Sequence, residues 1–224
     1  MNAARKKSAV LTAVLWIVFI LFTVLVKLVD VQPIGPEGSQ VGFAAFNASL
    51  LATYTPFWEK LTEYLGYLSL LTVGLFGLTG LVQLIRRRSI AKVEPALLLL
   101  GGLYVLVGIC YVVFEFVALN YRPVILEGEL EASYPSSHTM LTICVMGSAV
   151  MVLRYLLRRQ DLLRLALDTL CLVLLVVAVA GRFLSGVHWP TDILGGVLLS
   201  AALLSLYRTA LLTWAPFRYG KRSQ

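Results

Sequence analysis

Six long apolar runs alternate with short polar breaks, and most of the chain's charge sits in the breaks. The runs cover about 8–29, 62–85, 95–119, 138–156, 165–184 and 191–213. Each is near the roughly 20 residues that a helix needs to cross a bilayer. The pattern predicts an all-α integral membrane protein, one domain over residues 1–224 with six transmembrane helices. The first run follows Arg5, Lys6 and Lys7, as a signal peptide would. It is too long for one, and no small-x-small cleavage site follows, so it reads as a retained helix. Lys27 near its end can snorkel to the headgroups.

Residues 30–61 break the pattern. Pro33, Gly35, Pro36 and Gly38 predict a turn-rich loop. Val41 to Thr53 reads as a short interfacial helix, and Phe57 with Trp58 suits the headgroup zone. Asn47-Ala48-Ser49 matches a glycosylation sequon, a pattern short enough to arise by chance. Gly74, Gly77, Gly80, Gly101, Gly102 and Gly108, inside the second and third runs, suggest close helix packing.

Composition agrees with the membrane reading. Of the chain, 59% is hydrophobic and 14% charged, where a soluble domain would be nearer a quarter charged. The net charge of +7 could mean nucleic-acid binding in a soluble protein. Here the basic residues lie between apolar runs, so they orient the chain instead. With the N-terminus inside, the inner segments hold Arg5, Lys6, Lys7, Arg86, Arg87, Arg88, Lys92, Arg154, Arg158, Arg159, Arg164, Arg218, Lys221 and Arg222. That is 14 of the 19 lysines and arginines, which predicts cytoplasmic N- and C-termini. Cys110, Cys144 and Cys171 all lie inside apolar runs and read as small buried hydrophobes, not as a metal site or disulfide framework.

This topology gathers the polar chemistry at the outer face. Asn120-Tyr121-Arg122-Pro123 follows the third run, Tyr134-Pro135-Ser136-Ser137-His138 opens the fourth, Arg182 closes the fifth, and His188 with Asp192 opens the sixth. Arg122 and Arg182 lie where the positive-inside rule disfavours them, and their planar forks suit phosphate oxygens. Ser136 can cap a helix whose N-terminus is itself an anion site. His188 and Asp192 are four apart, a spacing that lets a carboxylate fix an imidazole tautomer and leave the other nitrogen as nucleophile or base. A capped helix start would use Asp192 equally well. Glu127, Glu129 and Glu131 read as a solvated loop that also repels highly anionic soluble substrates.

The set resembles the signature of the type 2 phosphatidic acid phosphatase superfamily: Lys-x6-Arg-Pro, Pro-Ser-Gly-His and Ser-Arg-x5-His-x3-Asp. The chain has Arg122-Pro123, Pro135-Ser136-Ser137-His138, and Gly181-Arg182 followed at the family's spacing by His188 and Asp192, so the likeness covers residues 115–192. It implies a membrane lipid phosphatase that uses no metal or other cofactor. His188 would attack phosphorus, Asp192 would orient it, and His138 would protonate the leaving oxygen and then activate water. Arg122, Ser136, Ser137 and Arg182 would hold the phosphoryl oxygens. The substrate would be an amphiphile such as phosphatidate, phosphatidylglycerol phosphate or a polyprenyl diphosphate. The small multispan chain fits a bacterial cell membrane with the site facing outward, and there undecaprenyl diphosphate is the first choice.

Three positions depart from the pattern. Ser137 stands for glycine and Gly181 for serine; both are small, and Gly181 brings no hydroxyl to the site. Glu115 stands where the family has lysine. Either Glu115, two helical turns below Arg122 and on nearly its face, pairs with Arg122 or Arg182, or the site is weakened or retuned. A retuned site allows two rival functions, a lipid-linked phosphotransferase and a lipid-binding or transport protein.

Overall fold

The computed structural model describes residues 3–220 except 127 and 158, with side chains described through Trp214. Arg158, Lys221, Arg222, Glu127 and the Arg218 side chain therefore lie outside the described residues. Seven α-helices follow in order: α1 (Ala3–Leu28), α2 (Ala44–Leu50), α3 (Pro56–Arg87), α4 (Pro95–Phe116), α5 (Ser137–Leu156), α6 (Asp161–Leu184) and α7 (Pro190–Gly220). All but α2 are long and apolar enough to cross a membrane. Proline opens α3, α4 and α7, where its missing N–H is no loss and its fixed φ starts the helix. Helix α2 occupies part of the predicted 41–53 segment.

The described helices form one bundle with α5 and α7 at its centre. Leu100 and Leu103 of α4, Met140, Cys144 and Val152 of α5, and Leu199, Leu203 and Tyr207 of α7 share one buried cluster. The outer helices turn large apolar side chains outward, among them Ile17, Leu71, Leu78, Val105, Ile109, Leu165 and Val176. In water such faces would aggregate; against lipid they are the ordinary surface. Helix α1 lies along α7 and is tied to it by hydroxyls. Thr12 bonds Ser205 at 2.9 Å and Thr209 at 3.0 Å, and Ser8 bonds Thr209 at 2.8 Å.

Two connections shape one end of the bundle. Residues 29–43 fold back so that Phe43 N–H reaches the Val29 carbonyl and Ala44 N–H the Asp30 carbonyl. Gly42 fits there because a Cβ would lie 1.6 Å from the Val26 carbonyl oxygen. Residues 118–136 form an irregular hairpin, bridged antiparallel at Tyr121 with Ala132 and at Leu126 with Glu129.

Two expectations are corrected, and the chance reading of the sequon agrees with the structure. Asn47 is fully buried and its amide is hydrogen-bonded on both sides, so the sequon is not a glycosylation site. A Cβ at Gly74, Gly77, Gly80, Gly101, Gly102 or Gly108 would meet no neighbour within 4 Å; Gly77, Gly80, Gly101 and Gly108 line a crevice between α3 and α4 instead of closing one, and Gly102 lines a groove between α4 and α7. Helix α4 ends at Phe116, so Glu115 and Arg122 share no helical face.

Candidate active site

The α6–α7 turn sets the centre of the site. Gly186 makes the turn with φ +69°, and a Cβ there would lie 2.5 Å from the Ala52 carbonyl oxygen. The Thr55 N–H bonds the Ser185 carbonyl at 3.0 Å and ties the start of α3 to the same turn. Helix α7 then begins at Pro190. Its third residue, Asp192, reaches back so that Oδ2 accepts the Trp189 N–H at 3.0 Å. The second carboxylate oxygen accepts from Asn120 Nδ2, also at 3.0 Å. His188 Nδ1 stands 3.8 Å from Asp192 Oδ2. The capping and orienting readings of Asp192 thus fall on one carboxylate. The separation is longer than a hydrogen bond.

His188 is 2% exposed, and neither ring nitrogen has a hydrogen-bond partner. Burial, then the Arg182 and Arg122 cations, hold its pKa well below the usual imidazole range. The ring is therefore neutral, with a lone pair available.

Arg182, in the last turn of α6, is equally buried. Its Nη1 donates to Thr62 Oγ1 at 3.1 Å and its Nη2 meets His138 Nδ1 at 3.0 Å, while Nε has no partner. A guanidinium only donates, so His138 Nδ1 must accept and the proton of the neutral ring sits on Nε2. That edge of His138 faces Gly66 of α3, whose Cβ would lie 3.2 Å from Cδ2 and 3.6 Å from Nε2.

The N-terminus of α5 joins the same centre. Ser136 caps the helix, its Oγ accepting the Thr139 N–H at 3.5 Å, and its own N–H bonds the Asp192 carbonyl at 2.9 Å. Ser137 is half-buried next to His138. Arg122 lies in the 118–136 hairpin, where its N–H bonds the Glu131 carbonyl at 3.0 Å and its Nε sits 2.9 Å from Glu131 Oε2. Glu131 is thus a partner for Arg122, not merely a solvated loop residue. Glu115 is exposed, and among the described residues no ion pair joins it to Arg122 or Arg182. The structure brings His138, Arg182, His188 and Asp192 together with Ser136, Ser137 and Arg122 around them; Glu115 lines a small cavity beside Ser133, Pro135 and Ser137.

Sequence reasoning gave no role to Thr62 or Gly66, and took Asn120 only as part of a polar cluster, Asn47 only as part of a chance sequon and Glu131 only as a loop charge. Polar residues close to a predicted helix end were the available signal for Asn120 and Thr62. The small residue at 181 also has a physical reason. A Cβ there would lie 2.7 Å from Thr62 Cγ2 and 3.1 Å from Trp58, so α3 occupies the space that a serine side chain would need.

A crevice leads to the site through the apolar part of the bundle. One cavity of about 380 Å³ is lined by α3, α4 and α5, including Gly66, Tyr67, Val107, Ser137 and His138. A second of about 430 Å³ continues between α3 and α4 to Leu84, Ile90 and Val93. They share Val73 and Tyr104 at their junction.

A sequence model described as the PAP2 superfamily matches residues 43–215. No curated protein matches the chain. Among solved structures, the chain is similar to one described as the crystal structure of the first transmembrane PAP2 type phosphatidylglycerolphosphate phosphatase from Bacillus subtilis. The two share 20% identity over 88% of this chain and 94% of that one, with a TM-score of 0.59.

Proposed function

The chain belongs to the PAP2 superfamily of membrane lipid phosphatases, and from that footing we propose that it hydrolyses a long-chain lipid phosphate or diphosphate through a phosphohistidine, without a metal. One observation carries the substrate class: an apolar crevice that ends at His138. Along α3 its lining runs from Glu63 to Leu84, about 30 Å at the helical rise. That matches the whole hydrocarbon core, not one leaflet. A single long isoprenoid chain fills such a crevice better than paired acyl chains, so a polyprenyl diphosphate is the first candidate. Phosphatidylglycerol phosphate, the substrate named for the similar solved enzyme, is the second.

In this reading the neutral His188 attacks phosphorus with its lone pair. The bond from that phosphorus to the leaving oxygen breaks (the bridging oxygen of a diphosphate, the ester oxygen of a monophosphate), and Asp192 stabilises the cationic ring that results. Arg122, Arg182 and the donors at the start of α5 hold the phosphoryl oxygens. His138 delivers the proton to the leaving oxygen. It must first take a proton on Nδ1, which the Arg182 contact prevents. A phosphate that draws Arg182 onto its own oxygens releases Nδ1, so substrate binding arms the acid. Water then gives a proton to His138 and attacks the phosphohistidine, freeing phosphate and neutral His188. The donor set is guanidinium, imidazole and backbone N–H, which attracts anions and repels a divalent cation. The membrane orientation follows the positive-inside rule: the site faces outward, with both termini in the cytoplasm. A bacterial cell membrane suits that arrangement.

The test is phosphate release by the purified protein, with chelator present, from phosphatidate, phosphatidylglycerol phosphate and undecaprenyl diphosphate. Acid-labile label from a radioactive substrate should be trapped on the parent protein and disappear in His188→Ala. Folded protein that releases phosphate from none of the three overturns the proposal. Label passed to an alcohol in place of water would make the protein a phosphotransferase.

A further inference from the structure

We infer that Asn120 is a positioning residue for the reaction: it sets the plane of the Asp192 carboxylate and so the direction of His188. The inference rests on His188 and Asp192 working as proposed above. Asn120 lies in the connection after α4, on no regular element, yet it is fully buried. Its Nδ2 donates to Asp192 Oδ1 at 3.0 Å. Its Oδ1 accepts the Gly42 N–H at 3.3 Å, and its carbonyl accepts the Ser133 N–H at 2.9 Å. The amide orientation follows from these partners, because the Gly42 N–H can only donate and the carboxylate only accept.

Asn120 on one oxygen and the Trp189 N–H on the other therefore hold the carboxylate, with the Ser133 hydroxyl also beside it. The second oxygen is the one that faces His188. A buried carboxylate without its donors is costly and free to rotate. A residue at 120 must give one donor, offer one acceptor to Gly42 and carry no charge, and asparagine meets all three conditions. Aspartate would set two carboxylates against each other, and they would share a proton.

Asn47 supplies a comparator within the same network. It grips the neighbouring Thr191, with the Thr191 N–H on Oδ1 at 3.1 Å and Nδ2 donating to Thr191 Oγ1 at 2.8 Å. It also donates to the Gly42 carbonyl at 2.8 Å. Asn47 thus braces the same helix start without touching the carboxylate. The charged and titratable groups facing the Asn120–Asp192 pair are Asp192 itself, His188 of the preceding turn at 3.8 Å from it, and Arg122 and Tyr134 of the hairpin.

The experiment compares Asn120→Asp, Asn120→Ala and Asn47→Ala with the parent, as full-length protein in detergent micelles containing whichever of undecaprenyl diphosphate, phosphatidylglycerol phosphate and phosphatidate the parent hydrolyses fastest. It measures kcat, KM and melting temperature from pH 5 to pH 9. Asn120→Ala is expected to lose about 100-fold in kcat with KM changed less than threefold. Asn120→Asp is expected near parent activity at pH 5, where a protonated carboxyl donates to Asp192. Above that its activity relative to the parent falls roughly tenfold per pH unit. Asn47→Ala is expected to lower the melting temperature and leave the shape of the pH profile unchanged. A merely structural Asn120 predicts an Asn120→Asp profile parallel to the parent's, and that result overturns the inference. So does an Asn120→Asp protein that is unfolded at pH 5. If Asn120→Ala does not accumulate, Asn120→Asp alone decides. A parent inactive on all three lipids defeats the functional proposal and this inference together; an active parent with a parallel Asn120→Asp profile defeats this inference alone.

Discussion

Restoring the serine that the resembling family carries at position 181 is expected to damage this protein. The Cβ of Gly181→Ser would lie 2.7 Å from Thr62 Cγ2, where relaxed carbon contacts lie at roughly 3.5–4.0 Å. Trp58, at 3.1 Å, closes the other side. Thr62 has little freedom to yield. Its hydroxyl donates within α3 to the Trp58 carbonyl at 2.8 Å and accepts from Arg182 Nη1 at 3.1 Å. Rotating the methyl away turns the oxygen away from Arg182. Overpacking of this kind costs about 1–3 kcal/mol. Loss of a hydrogen bond to a charged group costs about 1.5–3 kcal/mol more. If half of that falls on the transition state, kcat/KM drops about 10- to 100-fold.

A second substitution isolates the cause. Thr62→Ser deletes the methyl and keeps the oxygen. Gly181→Ser with Thr62→Ser is therefore expected to recover to within about threefold of the parent, since roughly a kilocalorie of residual crowding against Trp58 remains. Steady-state phosphate release and thermal melts of the purified proteins decide it. A fully active Gly181→Ser, or a double variant that melts like the parent without regaining activity, would refute the reasoning.

Other predictions concern charge and packing. Because His188 is held neutral, kcat/KM of the parent is expected to show no acid limb near pH 6.5. Arg122→Gln removes one of the cations that depress His188, so an acid limb moves up in pH; the profile of kcat/KM reads both. The same depressed pKa contributes stability that is present above the unfolded-state pKa of about 6.5 and is lost as pH falls below it. Melting temperature should therefore fall from pH 7 to pH 5, and less so in His188→Phe. Glu115→Lys adds a cation at an exposed position, worth about 0.5–1 kcal/mol toward an anionic headgroup, so kcat/KM is expected to rise two- to fivefold. Glu131→Gln frees the Arg122 guanidinium from the partner that positions it and is expected to raise KM by a similar factor; an unchanged or lower KM would refute the assignment of Glu131 as that partner. Thr12→Val removes two hydroxyl contacts to α7 of about 0.6 kcal/mol each, lowering the melting temperature by a few degrees without changing turnover.

How much of this was legible in the sequence depends on the range of the force involved. The six spans were read from hydropathy because a bilayer demands about 20 apolar residues wherever they fall, and the helices overlap the predicted runs. Their ends were less legible. Nothing in the apolar tail Val117-Ala118-Leu119 marks the stop at Phe116, which the hairpin that follows imposes. The grouping of His138, Arg182, His188 and Asp192 follows from topology, since alternate spans return to the same end. Asn120 and Asn47 were not legible. Their partners are Asp192 and Thr191, 72 and 144 residues away, and a buried asparagine looks like any loop polar residue until its partners are known.

The glycines of α3 and α4 give the clearest reason for the gap. Sequence shows where side chains are missing but not whether a neighbour takes up the space. At Gly66 and Gly181 a neighbour does: His138 approaches one, and Thr62 with Trp58 approaches the other. At Gly77, Gly80, Gly101 and Gly108 none does, and the same residue type opens a crevice toward lipid. The difference arises from α5 and α6, which pack against the N-terminal end of α3 and leave its remaining length to face α4. The first three turns of α3 press Thr62 and Gly66 against Arg182 and His138, while the turns beyond Leu70 line the crevice that the proposed function assigns to a lipid tail. Filling that space is then expected to discriminate by chain length. Gly77→Leu, more than two helical turns from His138, should reduce turnover of undecaprenyl diphosphate at least tenfold and leave a short-chain prenyl diphosphate within twofold, as measured by phosphate release. Equal losses on both would show that the crevice takes no part in holding the chain, and the long-chain preference argued from it would fall.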